Sequence, residues 1–340
     1  MSKMDEVIKA MNKKAKEEIV TVGLSDYHYT RIPFTSPMMN YCTFGGIPLG
    51  ILAEFFGEEH GGKTTTALDI VANFQRMFPE RGVLYCDCEN TLDVEWARKL
   101  GVDVESMFIL QPKAQSAEEI FQFICESVET GEIGLFVLDS IGAMVSQQEL
   151  DKDMEEKTYG GVSKPLTLFG KKIEMSLKKN NATGIGINQI RQIIGSTYGG
   201  TTTPGGNAWK HFCAIRMEFR RGPFIDEKGN NLTRSAATPC GNIVQVSLTK
   251  SKTCPPTRRV ASYTLNYATG IDYVADLVEV AIRYDIVDKH GAWYDIVDPD
   301  TGEIIQDKLQ GQASLFQYLR DNPEICDYVE RLVNSKMNLA

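Results

Sequence analysis

The first part of the chain contains four short apolar runs, at residues 51–56, 83–88, 135–140 and 184–188. Runs of this length that are mostly apolar, without alternation, are typical of strands covered on both faces of a sheet. Segments with helical periodicity lie between them, at residues 94–100, 116–128 and 166–179. Because buried strands alternate with helices, the pattern predicts an α/β fold with a mostly parallel central sheet.

The amino terminus shows a different pattern. Residues 4–19 predict an amphipathic helix with an apolar stripe on one face, made of Met4, Val7, Ile8, Met11 and Ala15. Such a face needs a surface to cover. The sequence leaves two surfaces open, the helix's own domain and a neighbouring subunit.

The carboxy-terminal part is also distinct. From residue 271 onward helical patterns predominate, interrupted by a small β segment at 291–297. The change predicts a small α+β C-terminal domain. The expected division is an N-terminal helix and connector at 1–36, a core at 37–270 and this domain at 271–340.

Residues 57–64 read Gly-Glu-Glu-His-Gly-Gly-Lys-Thr and fill every fixed position of a phosphate-binding loop, GxxxxGK[ST]. A predicted strand precedes the motif and a predicted helix follows it, so a chance match is disfavoured. The glycines let backbone N–H groups point inward, where the helix start adds the positive end of its dipole. Lys63 is expected to reach the terminal phosphates of a nucleotide, and the Thr64 hydroxyl to complete the shell of a Mg²⁺ ion.

Two carboxylates follow later strands of the predicted sheet. Glu89 comes just after the run at 83–88, on the side where open α/β sheets bind ligands, and is the candidate base that polarises an attacking water. The alternative is a surface carboxylate that caps the turn. Asp139 ends the run at 135–140, as expected of an acid that holds Mg²⁺. Trp96 fits either a stacking partner for the nucleotide base or a core side chain.

Two long polar segments are predicted to be mobile loops, at residues 147–164 and 191–207. Both leave the ligand-binding side of the sheet and carry Lys, Arg and Tyr. Loops of this kind beside a nucleotide site favour a polymer that passes along them, with basic groups on phosphates and aromatic side chains near bases. A pair of disordered lids is the alternative.

Composition narrows the function classes. The chain has 340 residues, 42% of them hydrophobic, and no apolar stretch long enough to cross a bilayer. With no signal peptide, a cytosolic protein without a membrane partner is expected. The eight cysteines lack CxxC spacing and are interpreted as reduced thiols. A net charge of −9 means that any contact with nucleic acid must depend on particular loops.

The order of these motifs resembles the RecA family of ATP-dependent DNA recombinases over nearly the whole chain. The stretches that carry the resemblance are residues 57–65, 89–93, 97–103, 137–140, 188–191, 201–208 and 291–294. The resemblance implies a RecA-type core with an oligomerising N-terminal helix. It also implies a DNA-dependent ATPase that forms a helical filament on single-stranded DNA and pairs that strand with homologous duplex.

The resemblance further implies a site, with ATP and Mg²⁺ as cofactors. Its catalytic residues are Lys63, Glu89, Gln189 as γ-phosphate sensor, and Lys250 and Lys252, which reach the neighbouring subunit's phosphates. Its nucleotide-binding residues are Gly57, Glu58, Glu59, His60, Gly61, Gly62, Lys63, Thr64, Thr65, Asp93, Trp96, Asp139, His211 and Tyr267. The metal ligands are Thr64 and Asp139. The DNA-binding residues are Tyr159, Lys164, Arg191, Ile194, Gly206 and Asn207.

Several positions depart from the family pattern. Glu58, Glu59 and His60 stand where bacterial members have proline and serines, and His211 replaces a bulky apolar residue. The chain also lacks the acidic tail of many bacterial members. A phage or plasmid recombinase is therefore as compatible as a chromosomal one.

Two rival functions and several further partners remain open. A RecA-core hexameric helicase is one rival, and a nucleotide-gated filament scaffold that recruits a repressor or a repair factor is the other. A single-strand binding protein, a loading mediator and a LexA-like repressor are the candidate partners beyond DNA and further copies of the chain.

Overall fold

The computed structural model describes residues 3–16, 20, 29–153, 161–192, 201–227, 229–233 and 235–337. Contacts between Cα atoms divide the chain into two compact units, residues 1–30 and 31–340. In the first, α1 (Lys3–Ala15) carries acidic residues in its first turn and lysines in its last, which complements the helix dipole.

The second unit contains the remaining elements. Its helices are α2 (Pro37–Thr43), α3 (Lys63–Met77), α4 (Val94–Lys99), α5 (Ala117–Glu129), α6 (Gln147–Leu150), α7 (Ser163–Asn180), α8 (Gly206–Phe212), α9 (Tyr273–Arg283), α10 (Gln312–Asp321) and α11 (Pro323–Met337), with one 3₁₀ turn at Ile141–Ala143. Its longer strands are β3 (Leu52–Gly57), β4 (Gly82–Asp87), β5 (Met107–Leu110), β6 (Ile133–Asp139), β7 (Thr183–Gln189), β10 (Ile215–Ile225), β12 (Gly241–Ser251), β13 (Val260–Asn266), β15 (Val287–His290), β16 (Trp293–Val297) and β17 (Ile304–Gln310). Two-residue strands are β1 (Arg31–Ile32), β2 (Ile47–Pro48), β8 (Arg191–Gln192), β9 (Thr201–Thr202), β11 (Asn231–Leu232) and β14 (Gly270–Ile271).

A ten-stranded sheet runs through the unit in the order β14-β13-β12-β10-β3-β7-β6-β4-β5, with β11 beside β10. The six strands from β10 to β5 are parallel to one another, whereas β12, β13 and β14 join antiparallel. The predicted α/β fold with a mostly parallel central sheet is confirmed. β14 pairs with the outer side of β13, so β13 is not the edge strand.

Alternate residues of the strands enter two hydrophobic clusters, because successive strand side chains point to opposite faces. One cluster joins the sheet to α2, α3, α9 and the C-terminal helices. The other joins it to α5, α7 and α8. Helices therefore cover both faces, and the strand ends that carry the predicted site residues meet at the edges of the sheet.

The small C-terminal sheet has the order β15-β16-β17 and is antiparallel. Buried residues of α9, α10 and α11 belong to the same cluster as α3. The domain boundaries at 36 and 270 stay predictions.

Helices replace parts of both predicted loops. The segment 147–164 contains α6, and Lys164 lies in the first turn of α7. Pro165 is tolerated in that turn because the N–H groups there have no intrahelical acceptor. Gly206 and Asn207 lie in α8, whose first turn is set by Gly205 at φ 98° and by the buried Trp209. Arg191 belongs to a short antiparallel pair between β8 and β9. Expecting irregular loop at these four residues was wrong.

Candidate nucleotide site

The phosphate-binding loop lies between β3 and α3. Gly57 is at φ +151°, and a Cβ there would lie 2.0 Å from the backbone oxygen of Phe219, so the position requires glycine. Gly62, at φ 93°, immediately precedes α3. The fifteen-residue helix directs its free N–H groups and positive dipole end at the loop. The turn is therefore built to receive an anion.

Lys63 is almost fully buried and points back over the loop. Its Nζ donates to the backbone oxygens of Glu58 at 2.5 Å and Gly57 at 3.2 Å. Burial lowers the pKa of Lys63, while the nearby Asp139 carboxylate acts in the opposite direction. The backbone oxygens of the phosphate-binding loop therefore hold the ammonium group at the loop itself.

Asp139 and Thr64 meet at the end of β6. Thr64 Oγ1 and Tyr85 OH each donate to Asp139 Oδ2 at 2.9 Å. Burial raises the pKa of Asp139, and these two hydrogen bonds oppose the rise. A hydroxyl beside a carboxylate is an oxygen donor set suited to Mg²⁺, which usually takes one or two protein ligands together with phosphates and water.

Glu89 lies beside this pair and is held from two directions. Ser140 Oγ donates to Glu89 Oε1, and Gln189 Nε2 lies 3.4 Å from the same oxygen. The buried Asp87 fixes the turn that carries Glu89, because its carboxylate accepts from the backbone N–H groups of Thr91 at 3.0 Å and Leu92 at 3.1 Å. The structure therefore brings the two predicted groups, Glu89 and Gln189, into contact.

A cavity of about 510 Å³ opens beside the loop. It is lined by His60, Gly61, Gly62, Lys63, Thr64, Thr65, Trp96, Arg221, Asn242, Leu265 and Tyr267. Trp96 Nε1 donates to Thr65 Oγ1 at 3.2 Å, and Tyr267 OH donates to Asn242 Oδ1 at 2.9 Å. Two aromatic side chains thus border the cavity, which suits the binding of a nucleobase.

Sequence reasoning missed three of the lining residues, Arg221, Asn242 and Leu265. They come from β10, β12 and β13, whose registers depend on antiparallel pairing. Asp93, by contrast, is the N-cap of α4 and accepts from the backbone N–H of Trp96 at 2.9 Å. Its contact in the structure is a helix cap.

Lys250 and Lys252 lie toward the amino-terminal ends of the parallel strands, whereas the phosphate loop follows a carboxyl end. The side of the sheet at the carboxyl ends is called the phosphate edge here, and the side at the amino-terminal ends is called the far edge. Lys250 is in register with Arg216, and Arg216 with Glu54, which precedes Gly57 by about 10 Å of strand. Lys250 therefore lies at the level of a residue three positions before the phosphate loop of its own subunit.

Both ammonium groups bond to the end of α8. Lys250 Nζ donates to the backbone oxygens of Lys210 at 2.5 Å and His211 at 3.1 Å, and Lys252 Nζ to His211 O at 3.1 Å. Burial lowers the pKa of Lys250, and the charge of Lys252 adds to that effect. His211, also a predicted site residue, thus lies with these lysines.

A buried polar group connects the two edges. The Glu54 carboxylate accepts from Asn188 Nδ2 at 2.9 Å and from Arg216 Nε. Asn188 Nδ2 also donates to Pro204 O at 3.0 Å. Two signals mark this group in the sequence. Glu54 is an acidic residue inside the apolar run at 51–56, and the alternation along β10 places Arg216 on the opposite face from its apolar neighbours.

The predicted DNA-binding residues are only partly described. Tyr159 and Ile194 lie outside the described residues. Lys164 begins an exposed row on α7 that continues through Leu168, Lys171, Met175 and Lys178 at helical spacing. This row presents three lysines on one face.

Among the described residues no helix is long and apolar enough to span a membrane. No group of three or more His, Cys, Asp or Glu side chains in the described ranges is arranged to hold a metal ion. A protein-only metal cage is therefore not part of the described site.

The fold and this site define a phosphate-loop NTPase with an α/β core. The RecA N-terminal domain model matches residues 2–272, and the RecA C-terminal domain model matches residues 275–338. The chain belongs to the RecA family.

Relatives named Protein RecA agree with this assignment. The protein of Thermotoga maritima is 36% identical over 297 residues, which cover 87% of this chain and 79% of the relative. That of Aquifex aeolicus is 35% identical over 313 residues, covering 91% and 84%. That of Staphylococcus aureus strain Newman is 32% identical over 343 residues, covering 99% and 92%. The chain is a RecA-type recombinase and DNA-dependent ATPase, which binds nucleotide and DNA and assembles with further copies of itself.

Proposed function

We propose that the chain forms a helical filament on single-stranded DNA, pairs that strand with homologous duplex, and hydrolyses ATP at joints between subunits. One observation carries the proposal: the catalytic side chains fall at two opposite edges of one sheet. The phosphate loop, Glu89 and Asp139 occupy one edge, while Lys250 and Lys252 occupy the other. A head-to-tail arrangement of subunits brings unlike edges together.

The phosphate edge binds ATP within one subunit. Lys63 reaches the β- and γ-phosphates as a point charge when their oxygens replace the Glu58 and Gly57 carbonyls that now accept from it. Thr64 and Asp139 fit Mg²⁺, which would neutralise charge on the phosphates. The aromatic border of Trp96 and Tyr267 takes the base.

Glu89 orients and polarises the attacking water. Its carboxylate is held by Ser140, so it needs little reorganisation when the water arrives. Gln189 contacts the same oxygen and ends β7 just before the second loop, so a γ-phosphate that draws the amide away alters both Glu89 and the start of the loop. This contact supports the role of Gln189 as a sensor.

Lys250 and Lys252 act on the ATP of a neighbouring subunit. In their own subunit they lie about 10 Å of strand or more from Gly57, and α8 holds their ammonium groups on that far side. Two cations at the γ-phosphate would stabilise transition-state charge, as an arginine finger does. His211, which bonds both lysines through its backbone, would then face the same joint.

DNA lies along the two segments that leave the phosphate edge. The exposed lysines of α7, beginning at Lys164, continue the track from the first loop, and Arg191, Gly206 and Asn207 flank the second. Tyr159 and Ile194 complete the proposed contact set. An overall net charge of −9 means that these local cations must supply the attraction to phosphates.

Electron microscopy with single-stranded DNA and a slowly hydrolysed ATP analogue tests the proposal. Helical filaments on DNA, and ATP turnover that rises when the strand is added, are the expected results. Closed rings would instead support the helicase, and DNA-independent turnover by dispersed subunits would refute hydrolysis at joints. Filaments that bind a repressor without turnover would support the scaffold.

A further inference from the structure

Four polar side chains form a row across neighbouring strands of the central sheet, three of them in register and the fourth, Asn188, two residues nearer the phosphate loop. From the phosphate edge to the far edge they are Asn188 on β7, Glu54 on β3, Arg216 on β10 and Lys250 on β12. Glu54 has no solvent exposure, and both of its carboxylate oxygens are engaged, Oε1 by Asn188 Nδ2 at 2.9 Å and Oε2 by Arg216 Nε. Side-chain hydrogen bonds therefore link β7, β3 and β10 in addition to the backbone ladder, whereas Lys250 is joined to Arg216 by strand register alone.

At its phosphate end the row joins the end of β7 to the returning part of the second loop. Asn188 Oδ1 accepts from the backbone N–H of its neighbour Gln189 at 3.0 Å, at the end of β7. Asn188 Nδ2 donates to Pro204 O at 3.0 Å, where the loop returns, in addition to its bond with Glu54. Because this amide is fully buried, a loop movement that breaks either bond leaves a polar group without a partner. Because the Asn188 amide donates to both Pro204 and Glu54, a movement of the loop is either resisted by the bond to Glu54 or shifts the Glu54 carboxylate.

At its far end the row reaches the lysine proposed to act in trans. Arg216 is in register with Lys250 on the adjacent strand and with Glu54 on the other side. Its guanidinium lies 4.5 Å from the centre of the Phe56 ring, so it is fixed by packing as well as by its carboxylate partner. The charges of Arg216 and Glu54 both act on the pKa of Lys250, Arg216 lowering it and Glu54 raising it. A displacement of Arg216 would therefore change the electrostatic environment of the Lys250 ammonium group.

We propose that Glu54 is a positioning residue, which ties the second loop to Lys250 by holding Asn188 and Arg216 at once. The inference rests on the proposed function, because it needs the loop to bind DNA and Lys250 to serve the neighbouring site. A buried ion pair is a costly way to join strands, since apolar side chains of similar size hold a sheet without the desolvation penalty. A charged, fully bonded group in this row is suited to passing a change at one edge to the other.

The test uses the full-length double variant Glu54→Gln, Arg216→Met, which removes both charges and leaves no buried ion unpaired. The quantity measured is the coupling factor, the ratio of Kd for a fluorescent single-stranded oligonucleotide without and with a slowly hydrolysed ATP analogue. By linkage, the analogue's own affinity must change by the same factor when DNA is added. We expect the factor to fall by about fivefold or more toward 1 in the variant.

A second ion pair on the same strand, with an exposed Arg220 and a half-buried Glu218, supplies a matched control. Arg220 Nη2 and Glu218 Oε1 lie 2.8 Å apart, so Glu218→Gln with Arg220→Met makes the same chemical change outside the row. This control should keep the wild-type coupling factor. An equal fall in both double variants, or an unchanged factor in a folded Glu54→Gln, Arg216→Met protein, overturns the inference. A purely structural role would lower the melting temperature and leave the factor alone.

Two further variants keep the test decisive. If the double variant does not fold, Asn188→Leu cuts the row at the loop end with little change in volume, and an unchanged coupling factor there also overturns the inference. Lys250→Ala separates this inference from the proposed function. If DNA-stimulated turnover survives Lys250→Ala, the proposal that Lys250 acts on the neighbouring subunit is wrong. If turnover is lost while the Glu54 and Asn188 variants keep the wild-type coupling factor, only the positioning role of Glu54 is wrong.

Discussion

The two edges of the central sheet hold their polar side chains in different ways. At the phosphate edge, the carboxylates bond to side chains of the same edge, with Thr64 and Tyr85 on Asp139 and Ser140 on Glu89. At the far edge, among the described residues, Lys250 and Lys252 bond to backbone carbonyls at the end of α8 rather than to carboxylates. One edge is therefore assembled within a subunit, whereas the other presents cations whose carboxylate or phosphate partners must come from elsewhere.

This difference assigns separate tasks to the edges. The phosphate edge can bind and orient ATP by itself because its groups are already in place. The far edge adds positive charge only when a second subunit supplies a phosphate. Binding and hydrolysis should then respond differently to substitutions at the two edges.

The largest effect is expected at Glu89. Glu89→Gln keeps an oxygen for Ser140 but removes the charge that polarises water, so kcat should fall by about 10²–10⁴-fold while ATP still binds. Steady-state ATPase assays with DNA, together with equilibrium binding of a fluorescent ATP analogue, measure the two quantities. A normal kcat would remove Glu89 from catalysis, and a matching loss of binding would make its role structural. Glu95→Gln, which alters an exposed carboxylate on α4, is the control.

Mixed filaments test the division between edges more sharply. A protein with Lys250→Ala and Lys252→Ala keeps Glu89, and a Glu89→Gln protein keeps both lysines. Each alone should hydrolyse ATP poorly. Mixed in equal amounts in a head-to-tail filament, about a quarter of the joints would combine an intact Glu89 with intact lysines, so turnover should rise toward that fraction of the wild-type rate.

The mixture has a clear contrary outcome. Turnover that stays at the sum of the two separate proteins would show that the lysines serve their own subunit. A control mixture of Glu89→Gln with Lys63→Ala, whose defects both lie at the phosphate edge, should recover no activity. Recovery there would mean that the sites are not divided as proposed.

Much of the phosphate edge was predictable because its signals are local. The loop at 57–64 lies within eight consecutive residues, and Glu89 and Asp139 each follow an apolar strand that marks its own end. Parallel strands bring their carboxyl ends to one edge, so strand order did not have to be known in detail. The RecA-type fold followed from the same run of motifs.

The remainder depends on register and helix boundaries, which short-range patterns do not specify. Arg221 and Asn242 enter the cavity through antiparallel pairing, and Glu54 meets Arg216 only because β3 and β10 are adjacent although far apart in sequence. Lys164 and Gly206 looked like loop because they border polar, glycine-containing segments. The buried Leu166, in α7 beside Lys164, extends the helix to include it.

The smallest effect is expected at a buried carboxylate that lies at neither edge of the sheet. Asp276 on α9 accepts from Ser36 Oγ and from the backbone N–H of Met38 at 3.2 Å. Its other oxygen, Oδ1, is buried without a hydrogen-bond partner among the described residues. Burial raises the pKa of Asp276 from 3.8 to about 7. The folded protein therefore binds this proton more tightly than the unfolded chain does.

The sign of the pH effect follows from that difference. Between about pH 4 and pH 7 the folded state holds more protons at Asp276, so its contribution to the free energy of unfolding falls as pH rises through this window and levels off above it. Asp276→Asn mimics the protonated acid at every pH. The free energy of unfolding of the variant, relative to that of wild type, should increase by on the order of 2 kcal/mol when the pH is raised from 5 to 8. Comparing the two proteins at the same pH cancels the titration of Asp69 and of other groups. Urea unfolding at the two pH values measures the gain, and ATPase activity with DNA at 25 °C should be unchanged. If the difference in free energy of unfolding between the two proteins is the same at pH 5 and pH 8, Asp276 is ionised throughout that range. If the turnover changes, the catalytic side chains are not confined to the two edges.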